Sequence, residues 1–69
     1  MHGHGHIAEF DEHRGLGAIE TDNGRRYRFH CTEIADGTRT VATGADVTFR
    51  LVTGPIGIEE AAEIRPTTG

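Results

Sequence analysis

The chain has 69 residues, so it forms one domain at most, and a domain of this size buries only about 60% of the surface its unfolded form exposes. Eleven acids face seven basic residues, all arginine, and the net charge of −4 excludes a generic polyanion binder, whose affinity is built from many cationic contacts. A single cysteine excludes an internal disulfide framework, and no apolar run approaches the roughly 20 residues of a membrane span.

The opening Met-His-Gly-His-Gly-His buries nothing and is expected to be a tail over residues 1–5 unless the first strand extends through it, with the domain proper at 6–66. Ile7 to Asp11 is the first expected strand; the spacing of its apolar members, Ile7 and Phe10, breaks alternation and suggests a bulge or bend. Leu16 to Thr21 follows, with Gly17 and Ile19 on one face and Leu16, Ala18 and Glu20 on the other. Asp22-Asn23-Gly24 predicts a tight hairpin turn, in which Asn and Gly both accept positive φ. The third strand runs from about Arg26 to His30. Its rings Tyr27 and Phe29 must face the core, so Arg26, Arg28 and His30 face outward.

Cys31 to Ile34 reads as a short turn, and Asp36-Gly37-Thr38-Arg39 as loop. Val47, Phe49 and Leu51 alternate with Thr48 and Arg50 in a fourth strand. Thr53-Gly54-Pro55 starts a turn that Ile56-Gly57-Ile58 continues. Glu60 to Arg65 is expected as a fifth strand, although its alanines would also suit a helix, and residues 67–69 as a tail. Five short strands with glycine-rich turns predict an all-β, antiparallel five-stranded barrel, since closure removes edges that would pair with other chains. The expected inward set is Ile7, Phe10, Ile19, Tyr27, Phe29, Ile34, Val47, Phe49, Leu51 and Ile64.

Several residues invite a chemical reading. His2, His4 and His6 share one face if extended, and alternate imidazoles ligate zinc, nickel or copper; a glycine-interrupted segment lacks the rigidity of a four-ligand site, so they are weak metal candidates and no cofactor is expected. His30 and Cys31 are strand neighbours pointing to opposite faces, a poor nucleophile–base pair. Gly15-Leu16-Gly17 is followed by no helix and no Gly-Lys-Ser/Thr, so it is not a phosphate loop. No enzymatic activity is expected. Cys31 reads as a packed thiol, and with no basic-then-apolar leader at the start a cytoplasmic location is expected.

Arg14-Gly15-Leu16-Gly17-Ala18-Ile19 resembles the first nucleic-acid-binding motif of bacterial cold-shock proteins, a basic residue followed by Gly-Phe-Gly-Phe-Ile. Tyr27-Arg28-Phe29-His30-Cys31 resembles the second, Val-Phe-Val-His-Phe. Phe10-Asp11, Ile34, Asp36 to Arg39, Gly44, Val47-Thr48-Phe49, Gly54 and Ala61 to Pro66 fall in family order, so the likeness spans about Ile7 to Pro66. It implies an OB-fold barrel that binds single-stranded RNA or DNA by stacking bases on an aromatic platform. Most of that platform is replaced here: Glu9 stands for a tryptophan, and Leu16, Ala18, Arg28, Cys31 and Thr38 for phenylalanines. Each stacking ring is worth roughly 1–3 kcal/mol per base, so several lost sites imply weak binding or altered specificity.

The residues carried over as a nucleic-acid-binding surface are Arg14, Leu16, Ala18, Arg28, His30 and Arg39, with Arg25 and Arg26 nearby. A guanidinium at position 28 stacks on bases and attracts phosphate, which offsets part of the loss. The alternative is an OB-fold protein-interaction module that has lost nucleic-acid binding. Leu16, Ala18 and Cys31 would then form an apolar strip for a protein partner.

Overall fold

A computed structural model of the chain describes residues 2–35, 37 and 40–67. Five strands, β1 (His2–Asp11), β2 (Leu16–Thr21), β3 (Arg26–His30), β4 (Asp46–Thr53) and β5 (Glu59–Pro66), close into a barrel in the order β1-β2-β3-β5-β4. A 3₁₀ turn at Cys31–Glu33 leads out of β3. Four seams are antiparallel, but β3 and β5 run parallel, joined at Arg28 and Glu60. The expected all-antiparallel sheet is corrected here by parity: strand directions cannot alternate all the way round a ring of five, so one seam must be parallel.

β1 also begins earlier than expected. His2 to His6 pair with Arg50 to Asp46 of β4, so the segment read as a tail is strand. The alternation of His and Gly is itself the period-2 signal of a strand, with glycine on the inner side. A Cβ on Gly3 would lie 2.6 Å from the Phe49 ring, and one on Gly5 would lie 2.4 Å from the Glu20 carbonyl oxygen. At the other end, the Thr67 amide donates to the Asp46 carbonyl at 3.0 Å, continuing the seam into the expected C-terminal tail.

The expected bulge falls between Ile7 and Glu9. Ile7 pairs with Ile19, Glu9 pairs with Ala18, and Ala8 is the extra residue. This insertion brings both Ile7 and Phe10 inside while Glu9 points out. A second bulge lies in β5, where Thr48 pairs with Arg65 but Arg50 pairs with Ala62. Glu63 sits in it with φ 50°, and its carboxylate meets Arg50 at 3.2 Å. Because of this bulge Ala61, Ala62 and Ile64 are all buried, and the two alanines join a core whose larger members match the expected inward set. Phe10, Tyr27 and Leu51 of that set are only partly buried against it.

The β2–β3 turn differs from the expected Asn-Gly form. Only Gly24 takes positive φ (82°); the Gly24 amide donates to the Thr21 carbonyl at 2.9 Å, and the Thr21 amide donates to the Arg25 carbonyl at 2.9 Å. This is a three-residue loop with a left-handed residue closing it. The same pattern returns at Gly54–Ile58, where Gly57 (φ 83°) donates to the Gly54 carbonyl at 3.0 Å and Gly54 donates to the Ile58 carbonyl at 2.8 Å.

Inside the barrel, Phe10, Gly17 and Phe29 form one cross-strand row, and the two rings stack 5.9 Å apart at 2° over the glycine between them. A Cβ on Gly17 would meet the Phe29 ring at 2.4 Å. Gly17→Ala is therefore expected to destabilise the protein by about 1–3 kcal/mol through overpacking, read from urea denaturation. A second measurement addresses the β5 bulge. Glu63→Ala and Glu63→Gly both lose the Arg50 ion pair, but only glycine relieves the left-handed backbone. The glycine variant is expected to be the more stable of the two by about 1 kcal/mol, the reverse of their usual order within a strand.

Candidate nucleic-acid interface

The outward residues of β1, β2, β3 and the start of β5 line an open groove of about 620 Å³. Its floor is set by register. Glu9 pairs with Ala18, Ala18 with Arg28, and Arg28 with Glu60, giving one row across four strands. The next row is Asp11, Leu16 and His30. Small Ala18 at the centre leaves the Arg28 stem and both glutamates room above the sheet.

Arg14 reaches the groove from the β1–β2 turn. There the Asp11 carboxylate accepts from the His13 amide at 3.0 Å and the Arg14 amide at 3.3 Å, while Gly15 takes φ 67°. Gly15 is wedged against Cys31, whose sulfur would lie 2.8 Å from an added Cβ. Cys31 is half-buried and packs against the core, so it does not contribute the outer apolar strip suggested for it with Leu16 and Ala18. The groove's far wall comes from the Gly54–Ile58 turn. Ile56 at its tip is 79% exposed and Ile58 is 59% exposed, and both line the groove with Leu16. Sequence reading placed these isoleucines in a loop without assigning them to the site. The available signal was two apolar residues held at a glycine turn with no core to enter.

The electrostatics are mixed. Glu9, Asp11, Glu59 and Glu60 line the groove with Arg14, Arg26 and Arg28, so it is not a cationic channel. Arg14 is engaged by Asp11 at 3.8 Å, and Arg26 by Glu20 at 3.3 Å. Glu20 also approaches His6 at 3.7 Å, and His6 pairs in register with Asp46, so a row of polar side chains crosses the outer sheet beside the groove. Arg28 differs: among the described residues it forms no ion pair, not even with the neighbouring Glu60.

Of the residues expected at the site, Arg14, Leu16, Ala18 and Arg28 converge on the groove, with Arg26 beside them. His30 is exposed but stands at the edge. Its Nδ1 lies 3.2 Å from the Thr32 hydroxyl and accepts from the Thr32 amide at 3.5 Å, so the ring caps the 3₁₀ turn rather than lining the groove. Arg25 is exposed at the β2–β3 turn. Arg39 and Thr38 lie outside the described residues. All four phenylalanine and tyrosine rings pack in or against the core, so the groove floor carries no stacking ring beyond a Tyr27 edge. Among the described residues no group of three His, Cys, Asp or Glu side chains is arranged to hold a metal ion, and His2, His4 and His6 lie on the outer side of β1.

The chain matches the family model of the 'cold-shock' DNA-binding domain over residues 3–67. It belongs to that family, whose members bind nucleic acid. The match reaches back into the His/Gly segment, in agreement with the early start of β1. A search of curated proteins returns no match. Among the described residues no helix is long and apolar enough to cross a membrane.

Ile56 and Ile58 are exposed enough that the barrel does not depend on them. Ile56→Ser and Ile58→Ser are each expected to change stability by less than about 0.5 kcal/mol in urea denaturation, while altering whatever the groove binds.

Proposed function

We propose that the protein binds single-stranded RNA or DNA weakly, through the groove centred on Arg28. The observation that carries this is the Arg28 guanidinium, which forms no ion pair among the described residues and is exposed in the groove beside the small side chain of Ala18. A guanidinium plane stacks on a base and also attracts phosphate, which compensates in part for missing rings. Leu16, Ile56 and Ile58 add aliphatic surface against which base faces pack. Four carboxylates in the same groove oppose phosphate, so the salt-dependent part of the affinity is small.

A second reading is favoured by one observation, the exposure of Ile56 and Ile58 beside a near-neutral groove. Apolar side chains rimmed by charge also suit a protein partner. In that case the barrel serves as an interaction module that has given up nucleic acid.

Fluorescence anisotropy with labelled single-stranded oligonucleotides at low salt separates the two. Binding in the high-micromolar range is expected, weakened about ten-fold by Arg28→Ala and unchanged by Arg65→Ala, which is exposed outside the groove. The slope of log K against log salt is expected to be no steeper than about −2, at about −0.7 for each phosphate neutralised by the three groove arginines. Binding that ignores Arg28, or none at high-micromolar protein, overturns the nucleic-acid reading.

A further inference from the structure

Resting on the nucleic-acid reading above, we infer that the groove selects bases that carry an exocyclic amino group, cytosine and guanine above all, over uracil and thymine. The starting point is the row Glu9–Ala18–Arg28–Glu60. Strands lie about 4.8 Å apart, so Glu60 starts one strand from Arg28 and Glu9 about 10 Å away on the other side. All three side chains line the same groove. None of the three is tied to a partner by an ion pair or side-chain hydrogen bond among the described residues. The other groove arginines and Asp11 are engaged, as described above. What remains available is one five-donor guanidinium flanked in its own row by two acceptor-only carboxylates, with Glu59 next to that row as a third.

Glu60 is also held. Its carboxylate lies against Gly54, where an added Cβ would come within 2.8 Å of the carboxyl carbon, and the side chain is only partly exposed. The bare glycine backbone therefore provides the space in which the acceptor sits.

This donor–acceptor arrangement matches some base edges and opposes others. Cytosine offers its N4 amino group to a carboxylate and its N3 and O2 to a guanidinium. Guanine offers N1–H and the N2 amino group to a carboxylate, and O6 and N7 to a guanidinium. Uracil and thymine present a single N3–H between two carbonyl oxygens, which face a carboxylate with like partial charge. The carboxylates that weaken phosphate binding thus become the source of base choice.

The test is anisotropy at one low salt concentration on the full chain, using octamers of C, of U and of alternating U and G. The C and UG octamers are expected to bind at least about five-fold more tightly than U8. Glu60→Gln and Glu9→Gln supply the decisive arm. Removing a negative charge raises the affinity for every octamer, but an amide also donates to the uracil carbonyl. The C-to-U ratio is therefore expected to fall toward one, most for Glu60→Gln. A carboxylate acting only as a repulsive charge would leave that ratio unchanged, and this result would overturn the assignment. U8 binding as tightly as C8 in the unmodified protein overturns it while leaving the nucleic-acid reading intact. Failure of all octamers to bind removes both.

Discussion

The stack of Phe10 on Phe29 across Gly17 is the constraint from which the groove follows. It joins three strands in one row, and a strand's side chains alternate with period 2. Once Phe10, Gly17 and Phe29 are fixed inside, Glu9, Ala18 and Arg28 must be outside and in line. A one-residue slip of any strand would exchange the two sets, and burying Glu9 and Arg28 would cost far more than the stack contributes. The bulge at Ala8 is part of the same constraint. Without it Ile7 and Phe10 would point to opposite faces, and the row would lose its third member.

Closure of the ring then completes the site. An odd strand number forces one parallel seam, and here it falls between β3 and β5. That seam sets Glu60 beside Arg28 and carries the Gly54–Ile58 turn over the groove. A single parallel bridge at this position gives the backbone little pairing, and the Ile34–Ile64 bridge continues it below. The joint between β3 and β5 thus depends on core packing more than on its ladder. The groove is built where the sheet is least continuous and its far wall is a turn, a place where side chains can change without disturbing the buried row.

Much of the barrel was legible because its signals are local. Alternation in β2, β3 and β4 assigned faces directly, and the irregular spacing of Ile7 and Phe10 announced the bulge. Three features were not legible for physical reasons. Glycine carries no hydropathy, so the inner face of His2 to His6 read as an absence of core; only the packing of Phe49 over Gly3 shows its role. The β5 bulge depends on a left-handed Glu63, a conformation that residue type alone argues against. The parallel seam follows from the number of strands in a closed ring, which no segment contains. At the site, the arginines were legible by alternation and by family likeness. Their pairing states were not, because register sets Glu20 opposite Arg26 and Glu60 opposite Arg28 alike, yet among the described residues only the first pair closes. His30 matched its motif yet is turned toward Thr32, a choice decided by a hydroxyl two residues on.

The same logic explains how a family interface can lose its rings while its barrel persists. The rings this chain keeps are on the buried side of the alternation, where removing one leaves a cavity costing about 3–5 kcal/mol. On the outer side a ring contributes to ligand binding and little to folding, so Glu9, Ala18 and Arg28 are compatible with an intact barrel. An outer face freed in this way is shaped by what it contacts. A row of acceptor, small side chain, donor and acceptor carries no ring on which a base of any identity would stack. In its place it presents hydrogen-bonding groups, whose worth depends on the edge brought to them. On the proposed reading, the divergence of this surface is a change in what is recognised rather than decay of a binding site.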